Sequence, residues 1–390
     1  MKSQTLSSER VKCHVRGIFR GKEHEKRVGS MSRAVNGLLS GAKLSIHAIG
    51  LSVARIEDLN PKHTIKQIDR LMSNPRFDLL ARQSDWIRHV IGSKDQIVVA
   101  LDWTDYDQDG HATICLALDE GRGRATPLLW HSVKKSTLKG NRNRYEDELL
   151  TRFHEYLPQD VQVTVTADRG FADQALASYM TELGFDYIIR IRKDTTIYDK
   201  SGDGRIAGKW LRGDGRLYCL KDVSITQAHT PIPVFVSVKK SGMKAPWFLI
   251  SSRADCTGTQ IMKMYAKRFT IEEMFRDEKD PRFGMGLSQT RIRSTQRRDR
   301  LLFLAALARD LLTLLGQAGE SIGLDMTIKA NTVKTRTHSL YTQGTFYFLW
   351  LPNMKPARKR KLLQAFQDVL DQSRFHNFVN YQTSFNILRG

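Results

Sequence analysis

The sequence predicts an α/β protein: a mixed β-sheet flanked by helices and interrupted by a β-rich insertion, with helical regions at both ends of the chain. Three features lead there. Residues 1–85 carry apolar side chains at helical spacing. Short apolar runs, bounded by turn residues, then alternate with helical segments, as expected of a sheet covered by helices. A helical pattern returns from residue 258 onward.

In order along the chain, Met31–Leu39 and Leu44–Ile56 read as helices separated by a Ser40-Gly41 break. Thr64–Met72 places Ile65, Ile68, Leu71 and Met72 on one face, which leaves Lys66 and Arg70 free to reach a phosphate. Asn60-Pro61 and Asn74-Pro75 bracket that segment as breakers. A compact helical module with basic faces can bind DNA, and an ordinary solvated bundle has the same pattern. The period then changes. Gln96–Trp103, His111–Leu118 and Ala125–Val133 read as an antiparallel meander, with Asp107, Asp109 and Gly110 turning the first corner. A helix over Glu146–Leu157, a strand over Val161–Ala167, a helix over Asp173–Leu183 and a strand over Tyr187–Arg192 follow. Leu217–Val223, Val234–Lys239 and Trp247–Ser251 read as short strands of a β-rich insertion. A single long helix is expected over Thr259–Lys279, and a strongly apolar one over Arg297–Leu315. The domain division is therefore a helical DNA-binding region at 1–85, a core at 86–200 and 258–328, the insertion at 201–257, and a mostly helical region for DNA binding or dimerisation at 329–390.

Composition narrows the function. The chain has 390 residues and a formal charge of +21, a surplus that repels itself unless it faces a polyanion. A membrane is a poor candidate, because the apolar run Leu301–Ala308 is short and Arg309 and Asp310 interrupt it. The polar, basic N-terminus lacks the apolar core of a secretory signal. Cys13, Cys115, Cys219 and Cys256 are far apart and form no CxxC pair, which fits a reducing compartment and neither a zinc site nor a disulfide framework. The expectation is a cytoplasmic, nucleoid-associated, nucleic-acid-binding protein.

Three carboxylates carry the chemistry. Asp102 and Asp168 each close a predicted strand, where open sheets present ligands. Singly, each is more commonly a turn or cap residue. Facing one cleft, they would repel each other unless a cation neutralised them. On an uninterrupted helix, Tyr265, Arg268, Glu272 and Lys279 fall on one narrow face. A carboxylate among a tyrosine, an arginine and a lysine suits a phosphate, and a solvated charged face looks the same. Glu273 and Glu278 point away from that face.

Tyr265-x2-Arg268-x3-Glu272-x6-Lys279 resembles, without a gap, the YREK signature of the insertion-sequence-four family of bacterial DDE transposases. LDWTDY around Asp102, TADRGF around Asp168 and YAKRFTIEEMFRDEKDPRFGMGLSQTR are most similar to the tetracycline-resistance transposon subgroup, as are IKQIDRLMSN and KANTVKTRTHSL. The resemblance implies an RNase H-like core. Asp102, Asp168 and Glu272 would be the catalytic metal ligands, and Tyr265, Arg268 and Lys279 would engage the transposon-end backbone. Phe269 stands where relatives carry Trp or Met beside a flipped-out base, and it can still stack.

An all-carboxylate ligand set suits Mg²⁺ or Mn²⁺ and not zinc, with two ions roughly 3.5–4 Å apart. No organic cofactor is needed. The resemblance implies nicking, hairpin formation, hairpin hydrolysis and strand transfer, performed on double-stranded DNA by a homodimer. Further basic residues fit a DNA path: Arg291, Arg293, Arg297, Arg298 and Arg300; Lys134, Lys135, Lys139, Arg142 and Arg144; Arg190 and Arg192; and Lys355, Arg358, Lys359, Arg360 and Lys361. Asp105 is a candidate to support Asp102 from behind. Two alternatives keep the same residues: an RNase H-like nuclease that cuts without joining, and a non-catalytic DNA-binding descendant.

Overall fold

The computed structural model describes residues 8–282 and 284–387, with side chains described to residue 373; the first residues of the basic N-terminus lie outside this range. The N-terminal helices are α1 (Ser8–Phe19), α2 (Glu25–Leu39), α3 (Ile46–Glu57), α4 (Pro61–Ser73) and α5 (Leu79–Ile91). Their boundaries follow from capping. Ser45 accepts from the Ala48 amide at the start of α3, and Asn60 accepts from Lys62 with Pro61 in the first turn of α4. The Asn60-Pro61 breaker thus starts a helix. Helices α3 and α4 cross at Gly50, where a Cβ would stand 2.6 Å from Ile65 Cα.

The sheet has ten strands: β1 (Gln96–Tyr106), β2 (His111–Leu118), β3 (Thr126–Lys134), β4 (Gln162–Ala167), β5 (Asp186–Arg190), β6 (Thr196–Tyr198), β7 (Gly204–Ile206), β8 (Tyr218–Ile225), β9 (Thr230–Val238) and β10 (Trp247–Ser251). Their spatial order is β3-β2-β1-β4-β5-β10-β9-β8-β6-β7. The meander β1-β2-β3 is antiparallel, and β1-β4 and β4-β5 are parallel. This is the mixed, RNase H-like arrangement. Between β3 and β4 runs α6 (Arg142–Tyr156), and between β4 and β5 runs α7 (Gln174–Glu182). The strands after β5 continue the same sheet, because β10 pairs antiparallel with β5; the first of them, β6, begins at Thr196, ahead of residue 201.

The expected single helix over Thr259–Lys279 is two helices, α8 (Gly258–Ala266) and α9 (Phe269–Lys279). At the junction the backbone bonds tighten to a three-residue step: Arg268 N to Tyr265 O at 3.0 Å, Thr270 N to Lys267 O at 3.0 Å and Ile271 N to Arg268 O at 3.1 Å. Each such step turns the chain by about 120° rather than about 100°. Tyr265 therefore belongs to a different helix from Glu272 and Lys279.

Helix α10 (Thr295–Ser321) packs on β3 and against α11 (Leu340–Trp350), α12 (Pro356–Ile387) and α2. It is longer than the apolar run suggests, and is long and apolar enough to cross a membrane by length and composition. Its most apolar window is, however, 94% buried inside the protein. The residues that interrupt its apolar pattern have partners: Arg309 bonds the Met274 carbonyl, and Asp310 pairs with His14 and His89. Gly316 and Gly344 let α10 and α11 touch along their backbones.

Candidate active site

Side chains alternate along β1. Trp103 and Asp105 face α6, where Trp103 Nε1 donates to Glu146 at 2.8 Å. Asp102, Thr104 and Tyr106 face α9 and α10. Asp102 does not end its strand as the sequence suggested, because pairing with β2 carries β1 on to Tyr106. It sits instead where parallel pairing with β4 stops, one residue beyond the Leu101–Ala167 pair, so Asp168 lies alongside it. Asp168 follows β4 and caps a short 3-10 turn, accepting the Gly170 amide at 2.7 Å. Glu272 reaches the same place from the first turn of α9.

Arg268 links two of these three carboxylates. Nearly buried at 5% exposure, it donates to Asp102 Oδ2 at 3.0 Å and pairs with Glu272. Asp102 Oδ1 accepts the Trp103 amide. Burial raises the Asp102 carboxyl to about 6; Arg268 opposes this, and the negative charges of Asp168 and Glu272 add to it. Three mutually repelling carboxylates with one arginine offer oxygen donors of the kind a hard divalent cation takes. Their donor chemistry, oxygen only, suits such an ion. By geometry, the buried Tyr265 hydroxyl and Arg268 Nε have no hydrogen-bond partner among the described residues.

The expected Tyr265, Arg268, Glu272, Lys279 face is only partly assembled. Arg268 and Glu272 meet. Tyr265 lies fully buried against Ile188, Val234, Val236 and Leu249, with the Arg268 guanidinium 6.0 Å from its ring centroid. Lys279 stands over the Tyr106 ring at 5.2 Å; burial lowers its pKa, while Asp105 and Asp107 pull it back up. Phe269 is 38% exposed and stacks on Trp247 at 5.8 Å, and Trp247 in turn meets Tyr265 edge-on at 5.1 Å. Sequence reading passed over Trp247. Its only signal is an aromatic at the start of a strand, and the pairing of β10 with β5 is what brings it here.

Asp105 does not support Asp102: it faces the opposite side of β1 and pairs with Lys135 at 3.0 Å. Of the basic groups, Arg291 and Arg293 are exposed in the segment before α10, which is anchored where Asp109 accepts the Ile292 amide at 3.0 Å. Their neighbours are braces. Arg298 is fully buried against Asp109 and the Tyr106 ring, Arg297 pairs with Asp69, and Arg300 donates to the Met72 and Phe77 carbonyls. Arg142 and Arg144 are paired along α6 with Glu146 and Glu148. Arg190 donates to the Pro246 carbonyl close to Tyr265, and Arg192 is exposed beyond β5. Lys66 and Arg70 are exposed on α4, and Lys355, Arg358, Arg360 and Lys361 are exposed where α12 begins.

No curated protein matches the chain. Residues 128–311, which begin downstream of Asp102 and include Asp168 and Glu272, match the family model described as the transposase DDE domain, and this match supports a DDE transposase.

Proposed function

We propose that this chain is a cut-and-paste transposase of the insertion-sequence-four type, working in the cytoplasm on double-stranded DNA as a homodimer that pairs two transposon ends. The observation that carries the reading is that Asp168 and Glu272 come near Asp102 from separate elements, with Arg268 pairing Asp102 and Glu272. In this reading the three carboxylates hold two Mg²⁺ ions, for which Mn²⁺ can substitute. Bound there, the ions neutralise charge at phosphorus and lower the pKa of the attacking water or 3′ hydroxyl.

The rest falls to the chain's own side chains. Arg268 exchanges its carboxylate partners for a phosphate oxygen, which suits its planar fork. The Tyr265 hydroxyl, buried beside it, donates to the same backbone. Lys279 takes the next phosphate along α9. Phe269, backed by Trp247, offers a ring on which a displaced base stacks, consistent with a hairpin step. Arg291 and Arg293, with Lys66 and Arg70 on α4, bind backbone phosphates and position the terminal inverted repeat without choosing its sequence. The helical regions at 1–85 and 329–390 are the DNA-binding and dimerisation regions, and 201–257 is an insertion into the core at 86–200 and 258–328.

The test uses a labelled duplex carrying the gene's own flanking end, analysed on a denaturing gel with Mg²⁺, with EDTA, and with Glu272→Gln. Mg²⁺-dependent cleavage with a hairpin product, absent from the variant, is the expected result. Binding without cleavage would leave a DNA-binding protein, and cut ends that never join to target would leave a nuclease. Cleavage that survives Glu272→Gln would place the active site elsewhere.

A further inference from the structure

A second cluster lies apart from the carboxylates. His14 of α1 and His89 of α5 each place Nε2 on the same oxygen, Oδ2 of Asp310 in α10, at 2.9 and 3.0 Å. His14 is 3% exposed and Asp310 9%. One ligand atom from each residue lies within 4.8 Å of the other two. We propose that His14, His89 and Asp310 form a binding site for a divalent transition-metal ion of the zinc class. The site stands whether or not the chain is a transposase.

The geometry is close to what such an ion needs. Zinc bonds of about 2.0–2.1 Å to nitrogen and oxygen put tetrahedral neighbours about 3.3 Å apart. Lengthening the two Nε2–Oδ2 separations by a few tenths of an ångström would open that space. Neighbouring rings hold both imidazoles in place, since His14 meets His89 edge-on at 5.4 Å and Trp86 lies against His89 at 5.6 Å. Asp310 and His89 also line a surface pocket with Gln317, Gln372 and Ser373, which leaves room for water as a further ligand. Two imidazoles and one carboxylate favour zinc-like ions, whereas the all-carboxylate set around Asp102 favours magnesium. The two sites are therefore separable by ion. The ligands stand 296 and 221 residues apart in the chain, so one ion would clip the N-terminal helices to the central helix of the core. The competing arrangement is a metal-free clamp in which both Nε2 atoms carry protons and donate to Asp310.

The full chain, stripped with a chelator and returned to excess Mg²⁺, is titrated with Zn²⁺. Bound metal is read by elemental analysis, and thermal unfolding is followed in parallel. We expect one Zn²⁺ per chain and a raised Tm, both kept by Glu272→Gln. In His89→Gln the affinity should fall at least ~10-fold and the zinc-dependent rise in Tm should vanish. Failure of the wild-type chain to retain Zn²⁺ over Mg²⁺ would overturn the proposal in favour of the proton clamp. Retention by His89→Gln equal to wild type would overturn it too. Should His89→Gln not fold, X-ray absorption of the zinc-loaded wild type decides: two imidazole nitrogens and an oxygen support the site, and an all-oxygen shell refutes it.

Discussion

Glu278 occupies the same helix as Glu272, but it points into the protein. It is 4% exposed and lines a small cavity with Tyr106, Cys115, Met274 and Phe275. Burial raises its carboxyl from 4.5 to about 7; Arg309 from α10 and Lys279 oppose the rise, and Asp277 adds to it. At about 1.4 kcal/mol per pH unit, ionising this group in the folded chain costs about 3 kcal/mol. The sign follows from proton binding. Below the unfolded pKa of 4.5 both states are protonated and nothing is lost. Between 4.5 and about 7 the folded state holds its proton more tightly, so stability falls as pH rises. Glu278→Gln keeps the shape of the protonated acid and abolishes the loss. Urea unfolding in EDTA should therefore show the two proteins alike near about pH 4 and the variant about 3 kcal/mol more stable near about pH 8, with unchanged m. Metal-dependent cleavage should survive, because α9 stays in place. A pH-independent difference, or a wild type that is the more stable at the alkaline end, would refute the reasoning.

Other outcomes test other links. Gly344→Ala would place a Cβ 1.7 Å from the Leu312 carbonyl oxygen, so separating α10 from α11 should cost about 3 kcal/mol by thermal melting. The control, Gly17→Ala, meets nothing within 4 Å on α1 and should be neutral or slightly stabilising; a similar loss there would remove the packing argument. Lys66→Ala and Arg70→Ala should weaken binding to all DNA sequences alike, each lowering the salt slope by about 0.9; an unaltered slope would mean that α4 does not touch phosphate. Trp247→Ala removes the ring behind Phe269 and, like Phe269→Ala, should reduce hairpin yield while initial nicking persists. A normal hairpin yield from both would exclude base stacking at this place.

Most elements were legible because apolar spacing and turn residues are local signals. The meander, the αβαβ alternation and helix α4 with Lys66 and Arg70 outward all follow from patterns a few residues long. The ordered pair Asp102 and Asp168 with a later Glu272 was legible as a motif. Their meeting was not, since it depends on β1 and β4 pairing in one register and on α9 lying over β1.

Uniform helical spacing misled where the chain switches partners. Helix α8 packs on β9 and α9 on β1, so Tyr265 is buried against Val234 and Val236 while Lys279 stands over Tyr106. Charge behaved likewise. A run of arginines reads as one basic surface, yet Arg298 is buried on Asp109 while Arg293 faces solvent. By itself, the sequence determined most element types and the basic surplus, and it singled out Asp102, Asp168 and Glu272 as candidates, because these rest on composition and short-range spacing. Tertiary structure alone decided which charges are partnered, that Trp247 stands behind Phe269, and that His14, His89 and Asp310 share one point. Those are contacts between residues far apart in the chain, and only packing brings them within reach.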